Sequence, residues 1–173
     1  MVVLYSVDDQ QSAVITSEKY DAFAPAFSSD GLWLYFISNR QFTATPGHPW
    51  GDRNLGPMFD KRSQLFAVSL KQQACFPFRP PQEVVDCDDT EAKNNRSAKK
   101  GSLVDWDGIS SRLWQVPVAA GNYQKLALND KRLYVLDRDA SAGAKSVLKQ
   151  IELSQTEAKL EVFANDVSDY QLA

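Results

Sequence analysis

Few residues in this sequence could do chemistry. His48 is the single histidine. A serine–histidine–acid arrangement would have to use it, with Asp52 or Asp60 orienting the ring and some serine as nucleophile. Nothing near it in the sequence resembles a nucleophile elbow, and a histidine between prolines in a loop is more often a surface or packing residue. Asp86, Asp88, Asp89 and Glu91 gather carboxylates that could suit calcium. Their spacing departs from an EF-hand loop and Lys93 follows closely, which favours a solvated acidic loop. The basic run from Lys93 to Lys100 lacks the interleaved aromatics of a phosphate or nucleic-acid platform. Cys75 and Cys87 are spaced wrongly for a paired zinc knuckle. Two free thiols are the expectation for them, with a disulfide across their shared loop as the alternative. No Gly-rich phosphate loop or metalloprotease motif occurs. The sequence therefore assigns no catalytic, cofactor-binding or metal-binding residue, and function has to be read through architecture.

Composition narrows the classes. A chain of 173 residues can bury a sizeable core, and 43% hydrophobic with 24% charged residues is ordinary for a globular protein. A net charge of -3 argues against nucleic acid as partner, because phosphate binding needs a basic footprint. No apolar run approaches the roughly 18 residues needed to cross a bilayer, so no membrane is expected. The start, "MVVLYSVDDQ", lacks the basic region and long apolar core of a secretory signal. The expected compartment is the cytoplasm, with the periplasm as alternative should a longer precursor carry a signal.

The elements that must position any site read as strands almost throughout. "VVLYSVDD", "SAVITS", "APAFSSD", "LWLYFISN", "SQLFAVSL", "SRLWQVPV", "YQKLALND", "RLYVLDR", "SVLKQIEL", "KLEVFAN" and "DYQLA" are short and rich in Val, Leu, Ile, Phe and Tyr, and many alternate apolar with polar. Turn chemistry separates them at Asp30-Gly31, Gly121-Asn122, Asn129-Asp130 and Ala142-Gly143. "SQTEAKLEVF" is the nearest approach to a helix, and Glu157 to Ala164 reads as a strand. Two stretches repeat. "SSDGLWLYFISNR" matches "LNDKRLYVLDRD": a strand ends in a polar pair with Asp30 or Asp130, a turn follows, then Leu34-Tyr35-Phe36 or Leu133-Tyr134-Val135. "QLFAVSL" and "VLKQIEL" come next in each copy.

A four-strand unit repeated in this way predicts an all-β fold, a β-propeller fragment of about three four-stranded antiparallel blades. A single twisted sheet cannot cover both of its faces, so blades pack on their neighbours. The expected pieces of this single partial propeller domain are residues 1–23, 24–118, 119–165 and 166–173. "DYQLA" would open a further blade. Insertions are expected at Gln41 to Arg62 and Lys71 to Gly101. Trp50, Phe42, Met58 and Phe59 suggest that the first folds back on the blades, and the centre of the second reads as mobile. Incomplete end blades would leave bare edges and faces. A homodimer through them is expected, with termini folded back as caps the alternative.

One stretch is more specific. Asp105-x-Asp107-Gly108-Ile109-x-x-Arg112, then Val116-Pro117-Val118 and Gly121-x-Tyr123, resembles the propeller region of tricorn-type serine proteases, as do "FAPAFSSDGLWLYFISNRQF", "PMFDKRSQLFAVSL" and "FPFRP". The resemblance covers most of the chain. It implies a non-catalytic propeller that guides or gates peptides toward a catalytic domain outside this chain, in the second propeller ahead of the PDZ-like and catalytic domains. Its partners would be peptides and the remaining domains of the parent peptidase. The family's catalytic residues match nothing here. Asp105, Gly108 and Arg112 are expected to fix blade geometry, Gly108 at a turn or bulge and Arg112 through a carboxylate. Two alternatives remain: a stand-alone propeller that binds proteins through the Trp50 loop, and a small hydrolase using His48.

Overall fold

The structure, a computed structural model, describes residues 1–42, 59–72, 74–78, 104–141, 143–153 and 157–172. Ten strands in these residues form three antiparallel sheets. The first pairs β1 (Val3–Ser6) with β2 (Gln11–Val14). The middle sheet runs β3 (Ala22–Phe27), β4 (Trp33–Asn39), β5 (Ser63–Ser69), β6 (Leu113–Gln115). The last runs β7 (Tyr123–Leu128), β8 (Arg132–Arg138), β9 (Ser146–Glu152), β10 (Glu161–Ala164). Each four-stranded sheet is a simple meander of consecutive antiparallel strands; in the middle sheet β4 to β5 and β5 to β6 are joined through the long insertions.

The turns follow from local side chains. In the middle sheet the Leu32 amide donates to Asp30 Oδ1 at 2.9 Å and the Trp33 amide to Ser28 Oγ at 2.9 Å, with Gly31 at φ 72° supplying the left-handed step. In the last sheet Asn129 does the same work, accepting from the Lys131 and Arg132 amides at 3.0 and 2.8 Å.

Stacking explains the burial of β4. Trp33, Tyr35 and Ile37 enter one apolar cluster with Leu126, Leu133, Val135 and Ile151 of the last sheet. Leu34 and Phe36 enter a second cluster with Val2, Leu4 and Ile15 around the first sheet. A strand with period-2 side chains is apolar at every position only when both faces are covered, and Trp33 to Ile37 are all buried. The repeat keeps its parity. Leu34 and Leu133 both face the preceding sheet, and each pairs directly with the end of the inner strand, Phe27 and Leu128. Both inner strands carry a register irregularity near their start, with Ala24 at φ 50° in β3.

Some expectations change. Of "DYQLA", the described residues 169–172 form no strand. Instead residues 166–172 fold back over the last sheet: the Val167 amide donates to the Ser146 carbonyl at 3.0 Å, and the Tyr170 hydroxyl to the Tyr134 carbonyl at 2.9 Å. The expected strand from Glu157 starts only at Glu161, because Glu157 to Leu160 have no ladder partner among the described residues. Cys75 is disulfide-bonded, which overturns the free-thiol expectation. The chain's other cysteine, Cys87, lies outside the described residues. Beside Cys75, Phe76 and Phe78 are buried between the middle and last sheets, Phe76 against Trp33, Phe78 and Trp114 at 5.4, 5.5 and 5.3 Å. An aromatic plug followed by prolines makes no strand, yet it fills the wedge between two twisted sheets.

Candidate functional site

Of the residues with possible chemistry, His48, Asp52, Trp50, Met58, Cys87, Asp86, Asp88, Asp89, Glu91 and Lys93 to Lys100 lie outside the described residues. Asp60 is described, and it is engaged in a joint between sheets. Its Oδ1 accepts from Asn122 Nδ2 at 2.7 Å and from the Lys61 amide at 2.9 Å. Asn122 Oδ1 in turn accepts from the Lys61 amide at 2.9 Å, and its own amide donates to Asp137 Oδ1 at 2.9 Å. Asp137 Oδ2 takes Lys149 Nζ at 2.7 Å, with both side chains largely shielded. Ser63 and Gly121 exchange two backbone hydrogen bonds at 2.9 and 3.0 Å across the same joint. The sequence marks Gly121-Asn122 as a turn, but nothing in it couples that turn to Asp60. The partner is about sixty positions away and is found only by stacking.

Beside this joint, at the start of inner strand β7, lies an open polar cleft of about 460 Å³ lined by Asn122, Gln124, Arg138, Asp139, Ser141 and Gly143. Gln124 falls at the register shift of β7, which turns it out of the ladder. Arg138 Nε donates to the Ala144 carbonyl at 3.2 Å. The Ser141 hydroxyl and amide hold the Asp139 carboxyl below the usual carboxylate range. These groups place both hydrogen-bond donors and acceptors around the cleft. No group of three or more histidine, cysteine, aspartate or glutamate residues that could hold a metal ion occurs among the described residues.

The specific motif has a structural reading. Gly108 sits at φ 64°, the left-handed conformation that opens the 3-10 turn Ile109–Ser111, so the turn expectation holds. Arg112 departs from the expected carboxylate pairing. Its Nε donates to the Ser69 carbonyl at 3.0 Å, Nη1 to the Asp107 carbonyl at 2.7 Å, and Nη2 to the Asp105 carbonyl. The planar guanidinium has enough fixed donors to serve three carbonyls at once, and it ties the end of β5 to the turn before β6. The Asp105 carboxylate goes elsewhere, to Lys71 Nζ at 3.2 Å and the Gln72 amide at 3.0 Å. Burial raises this carboxyl, but the Gln72 amide, Lys71 and the Arg112 charge outweigh it and hold the group below its usual range. The Asp105 amide also donates to the Leu70 carbonyl at 2.8 Å. The chain thus leaves β5 and returns at one clamped point.

Twisted four-stranded meanders, stacked face to face with their first strands side by side, define the blade array of a β-propeller. Among solved structures, the tricorn protease carries this arrangement, with a TM-score of 0.71 and 18% identity over 98% of the present chain. The chain spans 16% of the tricorn chain, and at that identity the likeness is one of fold. No family model matches the sequence, and no curated protein does.

Proposed function

We propose that the chain is the non-catalytic propeller part of a tricorn-like serine peptidase and guides peptides toward a catalytic domain outside these residues. The observation that carries the reading is the agreement in fold with the tricorn protease over 98% of the chain, joined to the motif from Asp105 to Tyr123. The inner strands β3 and β7 lie side by side, where a propeller lines its axis, and the polar cleft at Gln124, Arg138 and Asp139 opens beside them. A peptide moving past would find hydrogen-bonding groups there without a deep apolar pocket to hold it, which suits passage more than storage. The disulfide at Cys75 favours an oxidising compartment, and so the periplasm over the cytoplasm.

The test has two arms. The isolated chain should release no product from a fluorogenic tripeptide. Release that tracks with the protein peak and is lost on His48→Ala would overturn the non-catalytic reading. In the parent peptidase, Gln124→Trp with Arg138→Glu should lower kcat/KM for long peptides while leaving the shortest substrates unchanged. An equal effect on all lengths, or none, would remove the guiding role.

A further inference from the structure

We infer that Asp107-Gly108 is a site of spontaneous covalent modification, at which the chain closes to a succinimide and reopens as isoaspartate. The inference goes beyond the peptide-guiding role and does not depend on it. Glycine follows aspartate at two places in the sequence, Asp30-Gly31 and Asp107-Gly108. Both pairs are open to this reaction by type, because a glycine has no Cβ to shield its amide nitrogen. Both glycines also take the left-handed conformation, at φ 72° and 64°. Their surroundings separate them.

At Asp30-Gly31 both reacting groups are engaged. The carboxylate accepts from the Ser28 hydroxyl at 2.5 Å and from the Leu32 amide at 2.9 Å, and the Gly31 amide donates to the Ser28 carbonyl at 3.0 Å. Attack there has to break these bonds first. At Asp107-Gly108 neither the carboxylate nor the amide has a hydrogen-bond partner among the described residues, and both residues are exposed. The group held there is the carbonyl between them, which accepts from Arg112 Nη1 at 2.7 Å. Negative charge develops on this oxygen as the Gly108 nitrogen gives up its proton, and a fixed guanidinium stabilises it.

With the Asp107 side chain in its acid form, the Gly108 nitrogen attacks Cγ. The N–Cγ bond forms, the bond from Cγ to its hydroxyl breaks, and the hydroxyl leaves with the amide proton as one water. One solvent water then reopens the ring. Cleavage of the N–Cγ bond restores aspartate. Cleavage between the nitrogen and the main-chain carbonyl carbon gives isoaspartate, with a new carboxylate beside Arg112 and the main chain routed through Cβ and Cγ. The backbone is then one carbon longer inside the clamp that Arg112 makes on the carbonyls of Ser69, Asp105 and Asp107.

The intact chain is incubated at a mildly acidic pH where its circular dichroism stays native. It is then labelled by a protein isoaspartate methyltransferase with a marked methyl donor, and the peptides are mapped. Label should accumulate in the peptide holding Asp107 about tenfold or more faster than in the one holding Asp30, as the hydrogen bonds to be broken at Asp30 imply. In urea the two rates should converge. Asp107→Glu, at a side chain without a partner, should abolish the label while the urea midpoint stays unchanged. Equal labelling of the folded chain at both pairs, or none at Asp107, would overturn the site. So would a difference that persists in urea, since the fold would then not set it. Label that survives Asp107→Glu would do the same, because Asp105 in that peptide would be its source.

Discussion

The Tyr123 ring lies against Gly121 so closely that a Cβ added at Gly121 would sit 2.6 Å from Cε1 and 2.8 Å from Cζ. Tyr123 cannot swing away, because it is 2% exposed and its hydroxyl donates to the Ala119 carbonyl at 2.6 Å. Gly121→Ala should therefore cost about 1–3 kcal/mol, as overpacking of a closed site does. Tyr123→Phe should cost about 1 kcal/mol through the lost hydrogen bond. Urea denaturation of both variants checks this, and a neutral Gly121→Ala would show that the joint between sheets can open.

Arg112 predicts a failure of conservative replacement. Three carbonyls share its fork. Arg112→Ala strands them, and Arg112→Lys offers one ammonium that cannot reach all three directions. Both variants should lose about 1–3 kcal/mol. Full stability in the lysine variant, read from the urea midpoint, would mean that charge alone suffices there.

The clamp at Asp105 makes a pH prediction. Its folded pKa lies below the unfolded value, so its contribution is present above the unfolded pKa, about 3.9, and is lost as pH falls through the folded value. Melting temperatures between neutral and acid pH should fall less steeply for Asp105→Asn than for the unaltered chain. With Asp105 37% exposed the difference is small. Identical slopes would assign the acid loss to other carboxylates.

Reduction tests the plug beside Cys75. Dithiothreitol, or Cys75→Ser, should lower stability by about 2–4 kcal/mol. It should also change the near-ultraviolet circular dichroism, because Phe76 packs on Trp33 and Trp114. A lower melting temperature with unchanged aromatic signal would mean that the plug stays seated without the disulfide.

The folded-back segment guards the last sheet. Lys125 Nζ donates to Asp169 Oδ1 and to the Tyr170 carbonyl, each at 2.6 Å, and lies 5.1 Å from the centre of the Tyr170 ring. Ending the chain after Asn165 removes this strap and bares the side of β8 that carries Tyr134 and Leu136, beside the already exposed Phe163. The shortened chain should associate in light scattering at concentrations where the full chain does not. A monodisperse shortened chain would show that the strap covers nothing needing cover.

Much of the fold was legible in order. Period-2 patterns, Asp-Gly and Asn-Asp turns and the repeated Leu-Tyr pair are local signals, and local hydrogen bonding at Asp30 and Asn129 enforces them whatever lies nearby. The sequence also determined that β4 must be covered twice, since it is apolar at successive positions. It could not say what covers it. "DYQLA" reads as a strand by pattern but its described residues 169–172 make no ladder, because a strand exists only through a partner, and residues 166–172 instead find the face of the last sheet. Asp60 looked available for chemistry and is bound to Asn122; Arg112 looked set for a carboxylate and meets three carbonyls; Cys75 looked free and is bonded. The Asp60 contact spans about sixty positions and Arg112 reaches back to Ser69, so both depend on segments distant in sequence. Short-range pattern fixes which face a side chain takes, but only the stacking of sheets decides which groups meet across the gap.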